Sequence, residues 1–163
     1  MKNFLLPGLL LVAISMQAQK ITTIVLVRHA EKENDGTKDP GLTEAGKNRA
    51  DLLATMFKEA QVDAIYSTSF KRTQHTVGPL AKEKNLSIGK YEPFKTEEVD
   101  QILKKHAGGT IVISGHSNTT PWVANYLTGT QAYKDFEESD YSNLIIVSVV
   151  EKGKTAKVTW LNY

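Results

Sequence analysis

Residues 21–32 read Ile21-Thr22-Thr23-Ile24-Val25-Leu26-Val27-Arg28-His29-Ala30-Glu31-Lys32, an apolar, β-branched run that stops on a cation and an imidazole. A short continuous apolar run of this kind predicts a buried strand of a parallel sheet. Ligands of such sheets bind just beyond the strands' carboxyl ends. Arg28 and His29 therefore stand where an active site is expected. Burying either group without a partner is costly. An anion at the strand end would supply one; so would a structural ion pair for Arg28 and a hydrogen-bonded core position for His29.

Upstream, Lys2 precedes an apolar stretch, Phe4 to Met16, too short to span a bilayer and ending in Ser15-Met16-Gln17-Ala18-Gln19. A positive start, an apolar middle and a small residue at the cut are the layout of a secretory signal peptide. The expected division is a signal peptide over residues 1–18 and a single domain over 19–163. That domain is exported, periplasmic or secreted, with no stable membrane anchor after signal removal. The absence of cysteine excludes a lipid-anchored cysteine at the cut and a disulfide framework. About 145 residues suffice for one domain that buries about two-thirds of its unfolded surface. The formal net charge is +2 and no block of Lys or Arg tracks a phosphate backbone, so no nucleic-acid partner is expected.

Downstream, Glu33 to Gly41 is polar and rich in turn residues, a loop at the rim of the strand end. Thr43 then caps a helix whose expected apolar face is Leu52, Leu53, Met56 and Phe57. Val62 to Tyr66 is the second strand, and Ser67-Thr68-Ser69 is read as capping the helix that carries Phe70 to His75. A capped helix start favours an anion, which puts Arg72 within reach of the same edge as His29. Lys71 and His75 read as helix surface or packing. Leu86 to Tyr91 is a third strand, followed by Glu92 in a loop and an amphipathic helix from about Thr96 to His106, with His106 as a partner of its C-terminal dipole. Thr110 to Ser114 is the fourth strand, ending in Gly115-His116-Ser117-Asn118. The next helix tolerates Pro121 in its first turns and has Val123, Ala124, Tyr126 and Leu127 as core candidates. Thr130 to Tyr141 reads as a polar, acidic loop over the site. Asn143 to Val150 and Lys157 to Leu161 close the chain as a hairpin. The fold class is α/β, a three-layer sandwich with helices on both faces of a mostly parallel sheet and an antiparallel C-terminal edge strand.

Three strand ends thus deliver Arg28, His29, Arg72 and His116 to one edge. Two guanidinium groups match phosphate oxygens with two-pronged hydrogen bonds. A neutral imidazole is a competent nucleophile when a backbone acceptor holds one nitrogen protonated and frees the other. These residues point to attack of His29 on a phosphoryl group, with Arg28, Arg72 and His116 stabilising the transition state, each well-placed donor contributing about 3 kcal/mol. Ser117 joins them as a phosphate contact, and Glu92 is the candidate acid for the leaving oxygen. No metal and no cofactor are required, because the arginines carry the countercharge.

The stretches Arg28-His29-Ala30-Glu31, Leu42-Thr43-Glu44-Ala45-Gly46, Tyr66-Ser67-Thr68-Ser69 with Arg72-Thr73 and Thr76, and Ser114-Gly115-His116-Ser117 resemble the histidine phosphatase superfamily, the phosphoglycerate-mutase-like clan. The resemblance implies a phosphohistidine enzyme with His29 as nucleophile. Larger members have Gly after that histidine and a Thr, Ser or Asn downstream that helps bind phosphate; here stand Ala30, Lys32 and Asp35. The chain lacks the long insertions of the mutases and resembles the clan's small, compact phosphatases, so a phosphomonoesterase or phosphoramidase is favoured over a phosphomutase. The substrate is a small phosphorylated molecule or a phosphorylated protein side chain. A catalytically inactive phosphate-binding member of the same fold is the alternative without turnover.

Other chemistries fit less well. Gly115-His116-Ser117-Asn118-Thr119 approaches a Gly-x-Ser-x-Gly elbow, but Thr119 breaks the last position and no histidine follows His116 to complete a serine-hydrolase triad. His29-Ala30-Glu31 lacks the paired cysteines of a zinc deaminase. A metal held by His29 and His116 would sit against two arginines.

Overall fold

The computed structural model describes residues 20–163, and the expected signal peptide lies outside the described residues. The chain runs β1 (Thr22–Arg28), α1 (Glu44–Met56), β2 (Ala64–Ser67), α2 (Lys71–Glu83), β3 (Ile88–Lys90), α3 (Thr96–Lys105), β4 (Thr110–Gly115), α4 (Thr119–Thr128), β5 (Asn143–Glu151) and β6 (Thr155–Asn162). The six strands form one sheet in the order β3-β2-β4-β1-β5-β6. β3, β2, β4 and β1 are mutually parallel, and β5 pairs antiparallel with β1 and β6 antiparallel with β5. The edge strand β6 is antiparallel to its neighbour, as expected. It is β5, one place in, that runs against all the others.

Helices cover both faces. On one, Leu53 of α1 and Val77, Leu80 and Ala81 of α2 pack on Val25, Val27, Ile65 and Val112. On the other, Val99 and Ile102 of α3 and Val123, Ala124 and Leu127 of α4 pack on Ile24, Leu26, Ile111 and Ile113. Alternate residues of β1 thus serve opposite cores, which is why the run is apolar throughout. Among the described residues no helix is long and apolar enough to cross a membrane.

Several local expectations are corrected. The packed face of α1 is Gly46, Ala50 and Leu53, while Leu52 and Met56 are exposed. The helix lies so close to the end of β1 that a Cβ on Gly46 would stand 2.3 Å from the Glu31 carbonyl oxygen, which leaves room there only for glycine. β2 starts at Ala64 rather than Val62, and β3 shrinks to Ile88–Lys90 because Asn85 takes a left-handed turn (φ 53°) ahead of it. Ser67, Thr68 and Ser69 do not cap α2. Its first amide, Lys71 N, donates to Asp39 Oδ1 at 2.9 Å, from the loop after β1.

Strand register sets the active edge. Arg28 of β1 lies beside Gly115 of β4, and Ser67 of β2 beside Ser114. The His29 amide then donates to the Gly115 carbonyl at 2.8 Å, so each histidine follows its strand at the same level.

Candidate active site

His29 is 4% exposed. Its Nδ1 lies 2.8 Å from the Ala30 carbonyl oxygen. A carbonyl can only accept, so Nδ1 carries the proton and Nε2 keeps its lone pair. Burial, then the charges of Arg28, His116 and Arg72, push the imidazole down to about 4 against the support of the Ala30 bond. At neutral pH it is an uncharged imidazole of defined tautomer.

His116 stands opposite, its ring centroid 5.5 Å from that of His29. Its Nε2 is 3.0 Å from Thr68 Oγ1, which is 2.9 Å from Thr73 Oγ1. Thr73 Oγ1 lies 2.8 Å from the Phe70 carbonyl and 3.1 Å from that of Thr68, so its single proton goes to a carbonyl. Thr68 must then donate to Thr73, and His116 must donate to Thr68. Neutral His116 therefore carries its proton on Nε2. Burial, then Arg72, Arg28 and Lys32, also push it down to about 4.

Arg28 is 1% exposed. Its Nη1 donates to the carbonyls of Glu137 (2.7 Å) and Asp140 (2.8 Å), and its Nη2 to Glu138 Oε2 at 3.3 Å. The guanidinium also lies 4.3 Å from the centre of the Tyr141 ring, which packs on His29. Arg72 stacks on Phe70 at 4.3 Å, with Asp39 Oδ1 3.9 Å from Nη1. Phe70 meets His116 edge-on at 5.1 Å. Among the described residues neither Arg28 Nε nor Arg72 Nε has a hydrogen-bond partner, although both are buried. Two buried, unpaired cationic donors beside two neutral imidazoles are costly alone and suited to an oxyanion.

The structure thus brings together Arg28, His29, Arg72, His116 and Ser117, whose Oγ donates to Glu138 Oε1 at 3.1 Å. Glu92 is placed elsewhere. It is exposed after the outermost strand, its amide on Glu98 and its carboxylate 4.0 Å from Lys95, and it makes no hydrogen bond or ion pair with any of the five. His106 ends α3 as expected and pairs with Tyr66. Glu138, Tyr141, Thr68 and Thr73 were not singled out as site residues from sequence. The signal for the first two is Phe136, an apolar residue within the acidic loop. Its side chain is buried and its amide donates to the Ser117 carbonyl, which pulls the loop onto the site. Among the described residues no group of three metal-ligating side chains is assembled.

The model of the histidine phosphatase superfamily (branch 1) matches residues 24–95, from β1 through the loop after β3. Over that stretch, which carries Arg28, His29 and Arg72, the sequence is that of the histidine phosphatase superfamily. Phosphoserine phosphatase 1 of Hydrogenobacter thermophilus is 42% identical over 71 residues, 40% of this chain and 34% of that protein. The chain therefore spans about a third of the length of the curated relative it matches. Among solved structures, the protein histidine phosphatase SixA complexed with tungstate superposes with a TM-score of 0.72 at 15% identity, over 86% of this chain and 96% of that one. A mycobacterial glucosyl-3-phosphoglycerate phosphatase gives 0.70 at 14%, over 88% and 99%. A phosphoserine phosphatase mutant from Entamoeba histolytica gives 0.67 at 18%, over 86% and 96%. At these identities the likeness is one of fold, and it extends the histidine phosphatase architecture over the four helices and six strands.

Proposed function

We propose that this protein is an exported phosphatase of the histidine phosphatase superfamily that hydrolyses a phosphomonoester or phosphoramidate through a phosphohistidine on His29, without a metal. The observation that carries the reading is the His29 imidazole, buried, neutral and held by Ala30 with Nε2 free, beside two guanidinium groups with unpaired Nε–H donors. Attack of Nε2 on phosphorus breaks the bond to the leaving oxygen. The growing charge on the phosphoryl oxygens falls to Arg28 and Arg72, which stay protonated throughout. His116 is neutral at rest, and an arriving phosphate dianion favours its protonation, adding a third cation. Water then releases phosphate from His29. Two arginines at the reacting group make a divalent cation there electrostatically unfavourable and supply its charge. Substrates of the class named in the relatives, phosphorylated small molecules or a phosphorylated histidine of a protein, suit a site that grips only the phosphoryl group. Export rests on the pattern of residues 2–19, and the N-terminal sequence of protein recovered from the periplasm or medium tests it.

The deciding assay is hydrolysis of an aryl phosphate in excess chelator by wild type, His29→Ala and Ser117→Ala. We expect His29→Ala to be inactive, with the loss of an acid-labile phosphoenzyme, and wild type to be indifferent to chelator. Ser117→Ala should retain turnover. Activity that survives His29→Ala, or binding of phosphate with no turnover by wild type, would overturn the assignment.

A further inference from the structure

The loop between α4 and β5 is fastened at both ends of one short stretch. Phe136 is buried with its amide on the Ser117 carbonyl, and Asp140 is held by its carbonyl on Arg28 and its carboxylate on Ser142 and Asn143. Between them the Glu137 carbonyl also takes Arg28. The backbone of Glu138 is therefore pinned over the site, while its carboxylate, 77% exposed to solvent, contacts Arg28 and Ser117 at the site's rim. Oε2 lies on Arg28 Nη2 and Oε1 on Ser117 Oγ. These are two of the donors expected for a phosphate, so at rest the carboxylate stands in for substrate oxygens.

Resting on the phosphohistidine reading, we propose that Glu138 is the catalytic acid and base of this site, released from Arg28 and Ser117 by the incoming phosphoryl group and left beside it. The groups facing its carboxylate explain how it gains a proton. Ser117, Arg28, Lys32 and His29 hold it below the usual carboxylate range in the resting site. A phosphate dianion that takes Arg28 Nη2 and Ser117 Oγ strips away the two largest of these and adds a negative neighbour. Both changes raise the carboxyl's affinity for a proton, which comes from water or from the phosphate monoanion. As the bond from His29 Nε2 to phosphorus forms and the ester bond breaks, the Glu138 carboxyl gives its proton to the leaving oxygen. In the second half the carboxylate takes a proton from water as the water oxygen bonds to phosphorus and the nitrogen–phosphorus bond breaks. The proton passes from the Glu138 carboxyl to the departing phosphate or to water as Arg28 and Ser117 take the carboxylate back, and His29 and Glu138 return to their starting forms. Glu92, paired with Lys95 away from the histidines, has no comparable contact.

The test compares p-nitrophenyl phosphate, whose leaving group departs without a proton, with phenyl phosphate, whose leaving group needs one more. For Glu138→Gln, kcat/KM on phenyl phosphate should fall on the order of 100-fold, with a much smaller loss on the nitrophenyl ester. The Ki of inorganic phosphate should fall too, because a competing anion has been removed. Equal losses on both esters, a gain on both, an unchanged Ki, or the selective loss appearing in Glu92→Gln would each overturn the assignment. His29→Ala run alongside separates the two readings. If it still hydrolyses both esters, the phosphohistidine route fails; if it is dead and Glu138→Gln shows no leaving-group dependence, only the role of Glu138 does.

Discussion

Two histidines of one pocket are neutral for the same reason and differ in where they hold the proton. Ala30 fixes it on Nδ1 of His29, and the hydroxyl chain from Thr68 to Thr73 fixes it on Nε2 of His116. The first arrangement leaves the Nε2 lone pair free. The second ties His116 to the start of α2, the helix that carries Arg72. We expect long-range nitrogen–proton NMR spectra of the ring nitrogens to show these two tautomers at neutral pH, with both rings staying uncharged until about pH 4. A midpoint near the ordinary value of 6.5 for His29 would mean that the imidazole is not shielded as the burial of its ring requires. Converting Thr68 to Val keeps the volume and removes the acceptor, so His116 alone should lose its tautomer.

At the scale of elements, the site is held by short-range strand chemistry and long-range caps, and only the first was legible in the sequence. The apolar runs that end in Arg28-His29 and Gly115-His116 announce buried parallel strands, and their register brings the histidines level. Ser67-Thr68-Ser69 suggests a local cap for α2, because serine and threonine are good caps, yet the Ser67 hydroxyl is engaged with the Thr68 carbonyl and the Thr68 hydroxyl with Thr73 and His116. The cap is Asp39, 32 positions away, and no local pattern reveals it. Asp39→Ala should cost about 1 kcal/mol in urea unfolding and weaken phosphate binding through Arg72. Asp39→Asn should recover the stability, since an amide oxygen still caps, without fully recovering the binding. The face of α1 was misread for a related reason: large apolar residues suggest a core, whereas close approach to β1 selects Gly46 and Ala50. Gly46→Ala, stabilising in an exposed helix, should here destabilise by about 1–3 kcal/mol, because the Glu31 carbonyl in its path is backbone. A neutral or stabilising effect would show that α1 can slide.

For the whole molecule, the burial that prepares the site makes its stability depend on pH. Folding places His29 and His116, ordinarily titrating near 6.5, where each resists protonation down to about 4. Between those values the unfolded chain binds more protons than the folded one, so stability rises with pH there and is lost as pH falls from about 6.5 toward 4. For fully buried His29 the loss at the lower end approaches about 3 kcal/mol. For His116, less deeply buried and electrostatically coupled to it, the loss is smaller. Glu31, held down chiefly by its two-pronged pair with Arg49, and Asp140, held down by Asn143 and Ser142, contribute in the same direction but at lower pH, where carboxylates titrate. His29 and His116 therefore dominate the window between 4 and 6.5, to which His106, also lowered chiefly by burial, adds in the same direction. Urea midpoints measured across it should fall steadily for wild type and much less for a His29→Asn, His116→Asn double variant, which has no imidazole left at the site to charge. A phosphate oxyanion bound to the folded site should flatten the same slope in wild type, since it lets His116 accept its proton without unfolding. A double variant as pH-sensitive as wild type would place the acid lability elsewhere in the fold and separate it from the site.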